Sequence, residues 1–275
     1  MGEFEVEAAD PVVPAPFGLA SVSGAVEESG AFDLFGIDAP ADTFVAVRTS
    51  NVAPADMNTW LWALQTDGFT THAVRGLELP EGGYEEPLVV FPAEEAGTHY
   101  VRVGARGGDG GPGHTYDLDV TEVPPGDAFA TVDEVEPNDA TDEWQNLGVL
   151  SAGQHSLTGV AETAGHDPDS YEHNGDLDVF RFAVAEDAAV YLKLEWPSAD
   201  DFDAIVYDDT AGDTVLGFNE NNVLTLAMAT FGQPETVMMI LTAGTPYVLE
   251  VTNWEGDPGA SWSLEVVVLG DVFGG

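Results

Sequence analysis

The chain has 275 residues, enough for one large domain or two ordinary ones, and its 44% apolar content is ample for packed cores. Its 50 Asp and Glu against 6 Lys and Arg give a formal net charge of -44. That charge repels phosphate backbones and anionic lipid, which argues against nucleic acid and acidic membrane and leaves cations, basic proteins and neutral polymers as partners. There is no cysteine, so disulfides and thiolate metal sites are excluded.

Residues 1–15, MGEFEVEAADPVVPA, are acidic and then proline-rich. They carry neither the basic nor the apolar region of a signal peptide and read as an extension, so export would imply a precursor. A first β-sandwich is predicted over 16–122. Its strands are marked by Phe32-Asp33-Leu34-Phe35, Phe44-Val45-Ala46-Val47, Trp60-Leu61-Trp62-Ala63-Leu64, Ala96-Gly97-Thr98-His99-Tyr100-Val101 and Tyr116-Asp117-Leu118-Asp119-Val120. Gly107 to Gly113 is glycine-rich but lacks the lysine and hydroxyl of a phosphate loop, and reads as a strand connection. A linker is predicted over 123–133, where Pro124 and Pro125 supply no ladder donors.

The second domain, 134–275, repeats the first in order. Leu177-Asp178-Val179-Phe180, Val190-Tyr191-Leu192-Lys193-Leu194, Ala204-Ile205-Val206-Tyr207, Ala243-Gly244-Thr245-Pro246-Tyr247-Val248 and Trp262-Ser263-Leu264-Glu265-Val266 follow their counterparts. The offset stays at about 145 residues, the mark of an internal duplication. These segments alternate with the two-residue period of half-buried strands, as in Trp262, Leu264 and Val266 against Ser263 and Glu265. The fold class is therefore all-β: two tandem antiparallel β-sandwiches. A short helix is predicted between Asp139 and Gln145, and a long polar loop over Ala161 to Asn174.

Two acidic clusters carry the chemistry. Asp133-Glu134-Val135-Glu136-Pro137-Asn138-Asp139 lies in an extended lead-in that the first half lacks, with Glu134, Glu136 and Asn138 expected on one face. Asn174-Gly175-Asp176-Leu177-Asp178 enters a strand, with Asp176 and Asp178 sharing a face while Leu177 and Val179 turn to the core. Calcium takes about 6–8 oxygen ligands, and joining the two clusters around an ion would pin the lead-in to the sandwich. Neither cluster has the spacing of an EF-hand loop, and an ordinary solvated turn is the competing reading.

The segments EVEPNDA, GDLDVFRF, DFDAIVYD, AGTPYVLEV and SWSLEVV together resemble the bacterial pre-peptidase C-terminal domain family, which includes the collagen-binding domains of clostridial collagenases. The resemblance runs over Thr131 to Leu269 and more loosely over Phe17 to Val123. It implies a jelly-roll-like sandwich appended to secreted enzymes. It also implies calcium held by Glu134, Glu136, Asn138 and Asp139 in the linker, with Asp176 and Asp178 on the sheet side. The collagen-binding relatives point to Tyr247 and Leu249 as ligand contacts, although Tyr247 reads equally as core packing. Trp196 and Trp254 are candidates for stacking on a neutral glycan, Trp254 in a predicted hairpin loop.

No G-x-S-x-G, H-E-x-x-H or phosphate loop is present, and the loop carrying His166 and His173 reads as polar surface before it reads as a zinc site. The expected function is a non-catalytic pair of extracellular or cell-surface accessory modules, stabilised by Ca2+. The expected partner is an extracellular matrix protein or a neutral polysaccharide, with no nucleic acid and no membrane insertion. The alternatives are a structural spacer or self-associating surface protein, a polysaccharide-binding module, and a hydrolase.

Overall fold

A computed structural model describes residues 10–12, 20–28, 30–53, 59–64, 71–72, 88–105, 110–111, 113–140, 143–165, 175–196, 200–212, 214, 216, 223–227, 234–270 and 272. The chain is all-β and divides into two units between Pro124 and Pro125. The first unit contains β1 (Asp10–Val12), β2 (Ala20–Ala25), β3 (Phe32–Ala39), β4 (Thr43–Ala53), β5 (Thr59–Leu64), β6 (Thr71–His72), β7 (Leu88–Ala93), β8 (Gly97–Ala105) and β9 (Thr115–Val123). The second contains β10 (Val132–Asp133), β11 (Gln145–Leu150), β12 (Gly153–Ala161), β13 (Leu177–Val184), β14 (Ala188–Glu195), β15 (Asp201–Asp208), β16 (Val223–Ala227), β17 (Glu235–Leu241), β18 (Tyr247–Glu255) and β19 (Ala260–Val268). No helix occurs among the described residues, and Gln145, the expected end of one, opens β11 instead.

Each unit is a sandwich of two sheets, and the strand orders show the duplication directly. The first unit has sheets β1-β3-β8-β5-β6 and β2-β9-β4-β7; the second has β11-β13-β18-β15-β16 and β12-β19-β14-β17, with β10 added at the β12 edge. Pairing is antiparallel except for β1 on β3, β11 on β13 and β10 on β12. The added strand starts earlier than the predicted linker end. Phe129 N donates to Gln154 O at 2.8 Å, Gln154 N donates to Asp127 O at 2.9 Å, and Phe129 stacks on His155 with ring centroids 4.4 Å apart. Residues 127–134 thus lie along β12 and belong to the second sandwich.

Alternation sends one side of each strand into the space between the sheets. In the first unit Phe35, Ile37, Val45, Val47, Val101, Val103, Tyr116 and Leu118 meet there, and in the second Phe180, Phe182, Leu192, Leu194, Phe202, Leu249, Trp262 and Leu264. Burying one such side chain stabilises by about 1.5–3 kcal/mol. β13 is covered on both faces. Phe180 and Phe182 point into the main core, while Val179 packs with Ile205, Tyr207 and Val248 on the other side of the sheet. This reverses the expected facing of β13, because Asp178 shares the main-core side with Phe180 and Leu177 belongs to the smaller cluster.

Three further expectations are corrected. Tyr247 and Leu249 are 3% and 1% exposed within the main core, where Tyr247 packs on Phe182 with centroids 5.7 Å apart, so neither presents a surface to a ligand. The Ala-Gly-Thr match is one residue out of register: Phe35 pairs with Val101 and Phe180 with Leu249, which sets Tyr247 against His99 rather than Tyr100. Trp196 is buried, donating from Nε1 to Asp200 O at 2.5 Å, and Trp254 is half-buried inside β18 instead of in a loop. The loop carrying His166 and His173 lies outside the described residues.

Candidate metal centre

The lead-in reaches its site by strand-like bonding. Glu134 N donates to Thr158 O at 2.9 Å, Thr158 Oγ1 donates to Asp133 Oδ1 at 2.8 Å, and Val160 N donates to Glu134 Oε1 at 2.7 Å. Gln145 closes the other side, accepting from Val135 N at 2.8 Å and donating to Asp133 O at 3.1 Å. After the cis Glu136–Pro137 bond, Val179 N donates to Asn138 O at 3.0 Å and so joins the lead-in to β13. Parallel edge pairing followed by a crossing to the opposite sheet places residues 134–139 across the end of the sandwich, over the first turn of β13.

The five acids and one amide named from the sequence meet there. Ligand atoms of Glu134, Glu136 and Asp178 lie within 4.8 Å of one another, and so do those of Glu136, Asp139 and Asp176. Glu136 is common to both groups. Asn138 is fully buried, and its side-chain amide nitrogen donates to the Glu136 carboxylate, at 3.1 Å to Oε2 and 3.2 Å to Oε1. Asp178 is 1% exposed; its Oδ2 accepts from Trp262 Nε1 at 2.6 Å, while its Oδ1 has no donor. Glu134 Oε2 is likewise buried without one. Asp176 Oδ2 accepts from Glu162 N at 2.5 Å. Glu136 and Asp139 are exposed, so the group opens to water on one side and closes on Asp178.

Electrostatics follow from packing acids together without a positive partner. Burial, and then the Glu134 carboxylate beside it, push Asp178 up to about 10. Burial, opposed by the Glu162 amide and reinforced by Asp139 and Glu136, raises Asp176 to about 6. Glu136 is raised by burial and by Asp139, Glu134 and Glu162. The second unit has only two basic residues, Arg181 and Lys193, and they pair with Asp209 at 2.9 Å and Glu195 at 3.2 Å. A clustered set of carboxylate and amide oxygens is the donor chemistry of a hard cation such as calcium, and a poor match to metals that favour nitrogen or sulfur.

Two supporting residues, Gly159 and Glu162, were not named from the sequence. Gly159 pairs with Trp262 across β12 and β19, and a Cβ there would stand 2.1 Å from Glu134 Oε2 and 2.3 Å from Trp262 Cζ2. Its missing side chain is the room in which carboxylate and indole sit; Glu162 adds charge beside Glu136. The first unit keeps the same frame: Gly24 pairs with Tyr116, whose hydroxyl donates to Asp33 Oδ2 at 2.5 Å. Among the described residues it shows no counterpart of β10, and the acid triads found there all lie in the second unit. Near Asp33 stands His114, 1% exposed and with neither ring nitrogen hydrogen-bonded; burial lowers its pKa and Asp33 opposes that shift.

No family model and no curated protein matches the chain. Among solved structures it is similar to the pre-peptidase C-terminal domain of a collagenase from Bacillus anthracis, at 14% identity and a TM-score of 0.31, over 45% of this chain and 95% of that one. It is similar to the CUB1-EGF-CUB2 region of human MASP-1/3, at 10% identity and 0.25, over 91% and 99%. A secreted protein from Eubacterium rectale matches at 8% identity and 0.26, over 94% and 79%. With TM-scores this low, none of these likenesses assigns a family or an activity.

Proposed function

We propose that this chain is a non-catalytic accessory module pair that works outside the cell, and that calcium bound by Glu134, Glu136, Asn138, Asp139, Asp176 and Asp178 fastens the lead-in onto the second sandwich. The observation that carries this reading is the convergence of two segments about 40 residues apart in sequence onto one spot, with two buried carboxylate oxygens left without donors. Without metal a proton on Asp178, facing Glu134, satisfies both oxygens; a divalent cation does so while also cancelling the repulsion that raises Asp178 and Asp176. The ligand of the pair is a matrix protein or neutral polysaccharide, the classes a charge of -44 leaves open. Of the four contact residues named from sequence, Trp254 alone lies outside the core.

Calorimetric titration of calcium into the full chain at fixed high salt tests the metal claim. Saturable binding whose stoichiometry drops in Asp178→Asn supports it. Because Asp178 is held protonated without metal, the same variant keeps its stability in chelator, which separates lost binding from lost folding. Binding that is undiminished in both Asp178→Asn and Glu134→Gln contradicts it.

A further inference from the structure

A second group of acids lies at the same end of the second sandwich but on other strands. We propose that Asp201, Asp203 and Glu235 form a further divalent-cation site, with Thr252 Oγ1 as a neutral fourth oxygen. Their ligand atoms lie within 4.8 Å of one another, although Asp201 and Asp203 open β15 and Glu235 opens β17 of the facing sheet. Asp203 is 8% exposed and Glu235 0%, burial that carboxylates rarely tolerate without a positive charge beside them. Among the described residues the two basic side chains of the unit sit on Asp209 and Glu195, and the charged groups acting on Asp203 are the acids Asp201 and Glu250.

Thr252 points to the ion. It is 1% exposed, and its hydroxyl has no hydrogen-bond partner. In the ladder it stands between Leu177 of β13 and Asp203 of β15, on their shared face, so Asp203 is the one polar neighbour across the strands. A hydroxyl that ignores an adjacent buried carboxylate is poorly placed for a site closed by hydrogen bonds. It is well placed as an oxygen ligand beside that carboxylate. Three carboxylates and a hydroxyl, with water completing the shell, give the oxygen-only coordination of calcium-like ions; no imidazole or thiolate enters. Burial, with Asp201 and Glu250 nearby, also raises Asp203 to about 7, so proton sharing among the acids is the competing state.

This site is independent of the lead-in centre, and the test keeps the two apart. Terbium is titrated into the Asp178→Asn chain at high salt, with luminescence excited through Trp196, whose indole bonds to Asp200 beside β15. The expected result is one remaining saturable ion per chain, displaced by excess calcium and lost when Asp203→Asn or Glu235→Gln is added. Melting of each variant in chelator shows that it is folded. No remaining ion in the Asp178→Asn chain, or an ion that survives both added substitutions, overturns the proposal. If Asp203→Asn alone removes binding and Asp178→Asn does not, this site stands and the lead-in centre falls.

Discussion

A Cβ added at Gly159 would collide with Glu134 Oε2 and the Trp262 ring, and one added at Gly24 would stand 2.4 Å from Tyr116 Cζ. These two glycines hold equivalent places in the duplicated frame, but only one adjoins the acids. Gly159→Ala and Gly24→Ala are each expected to cost about 1–3 kcal/mol from overpacking. Urea unfolding with and without calcium separates them: the calcium response of Gly159→Ala shrinks, and that of Gly24→Ala is kept. An equal calcium response in both would detach Glu134 from the ion. At this scale the proposed ligands of the lead-in were legible because Glu134, Glu136, Asn138 and Asp139 are close in sequence, the first three alternating along an extended segment. Gly159 was not, since a glycine in a strand announces a close approach without saying what approaches. Asp201, Asp203 and Glu235 escaped for a different reason: β15 and β17 belong to different sheets, and only the tertiary fold joins their ends.

The lead-in is the element on which the pH dependence turns. Asp176 and Asp178 have pKa values raised in the folded chain to about 6 and about 10, from an ordinary 3.8. The folded state therefore holds protons that the unfolded state releases. Their contribution is fully present below pH 3.8 and is lost as pH rises, through about 6 for Asp176 and about 10 for Asp178. In chelator, melting of the second unit should fall between pH 5 and pH 8, and amide exchange at Glu134, Val160 and Val179 should quicken. Calcium replaces the protons, so with metal the fall flattens and binding releases protons. A chelated protein whose melting rises across that interval would contradict the electrostatic account. Element by element, strand positions and the repeat were readable from alternation. The register of β8 against β18 was not, because the two turns before them differ in length while their Ala-Gly-Thr sequences agree. Tyr247 and Leu249 were misplaced for a related reason: β18 is buried along nearly its whole length, so alternation does not reveal which face is open.

Over the whole molecule, 50 acids against 6 bases mean that any added salt relieves repulsion, in both units and without specific binding. A calcium effect has significance only beyond that background, and the duplication supplies an internal reference. The first unit shares the sandwich, the topology and the Asp–aromatic–glycine frame, but among the described residues neither the lead-in nor the acid triads occur in it. Differential scanning calorimetry of the intact chain at constant ionic strength, in calcium and in chelator, is the most direct measurement. With calcium at about 100 times its dissociation constant the stabilisation is about 2.7 kcal/mol, a rise of roughly 5–10 °C for a unit of this size. Two transitions are predicted, of which the second unit's alone moves up, and by less in Asp178→Asn than in the unaltered chain. Transitions that both stay fixed, or that both shift equally, would contradict a calcium-fastened second sandwich.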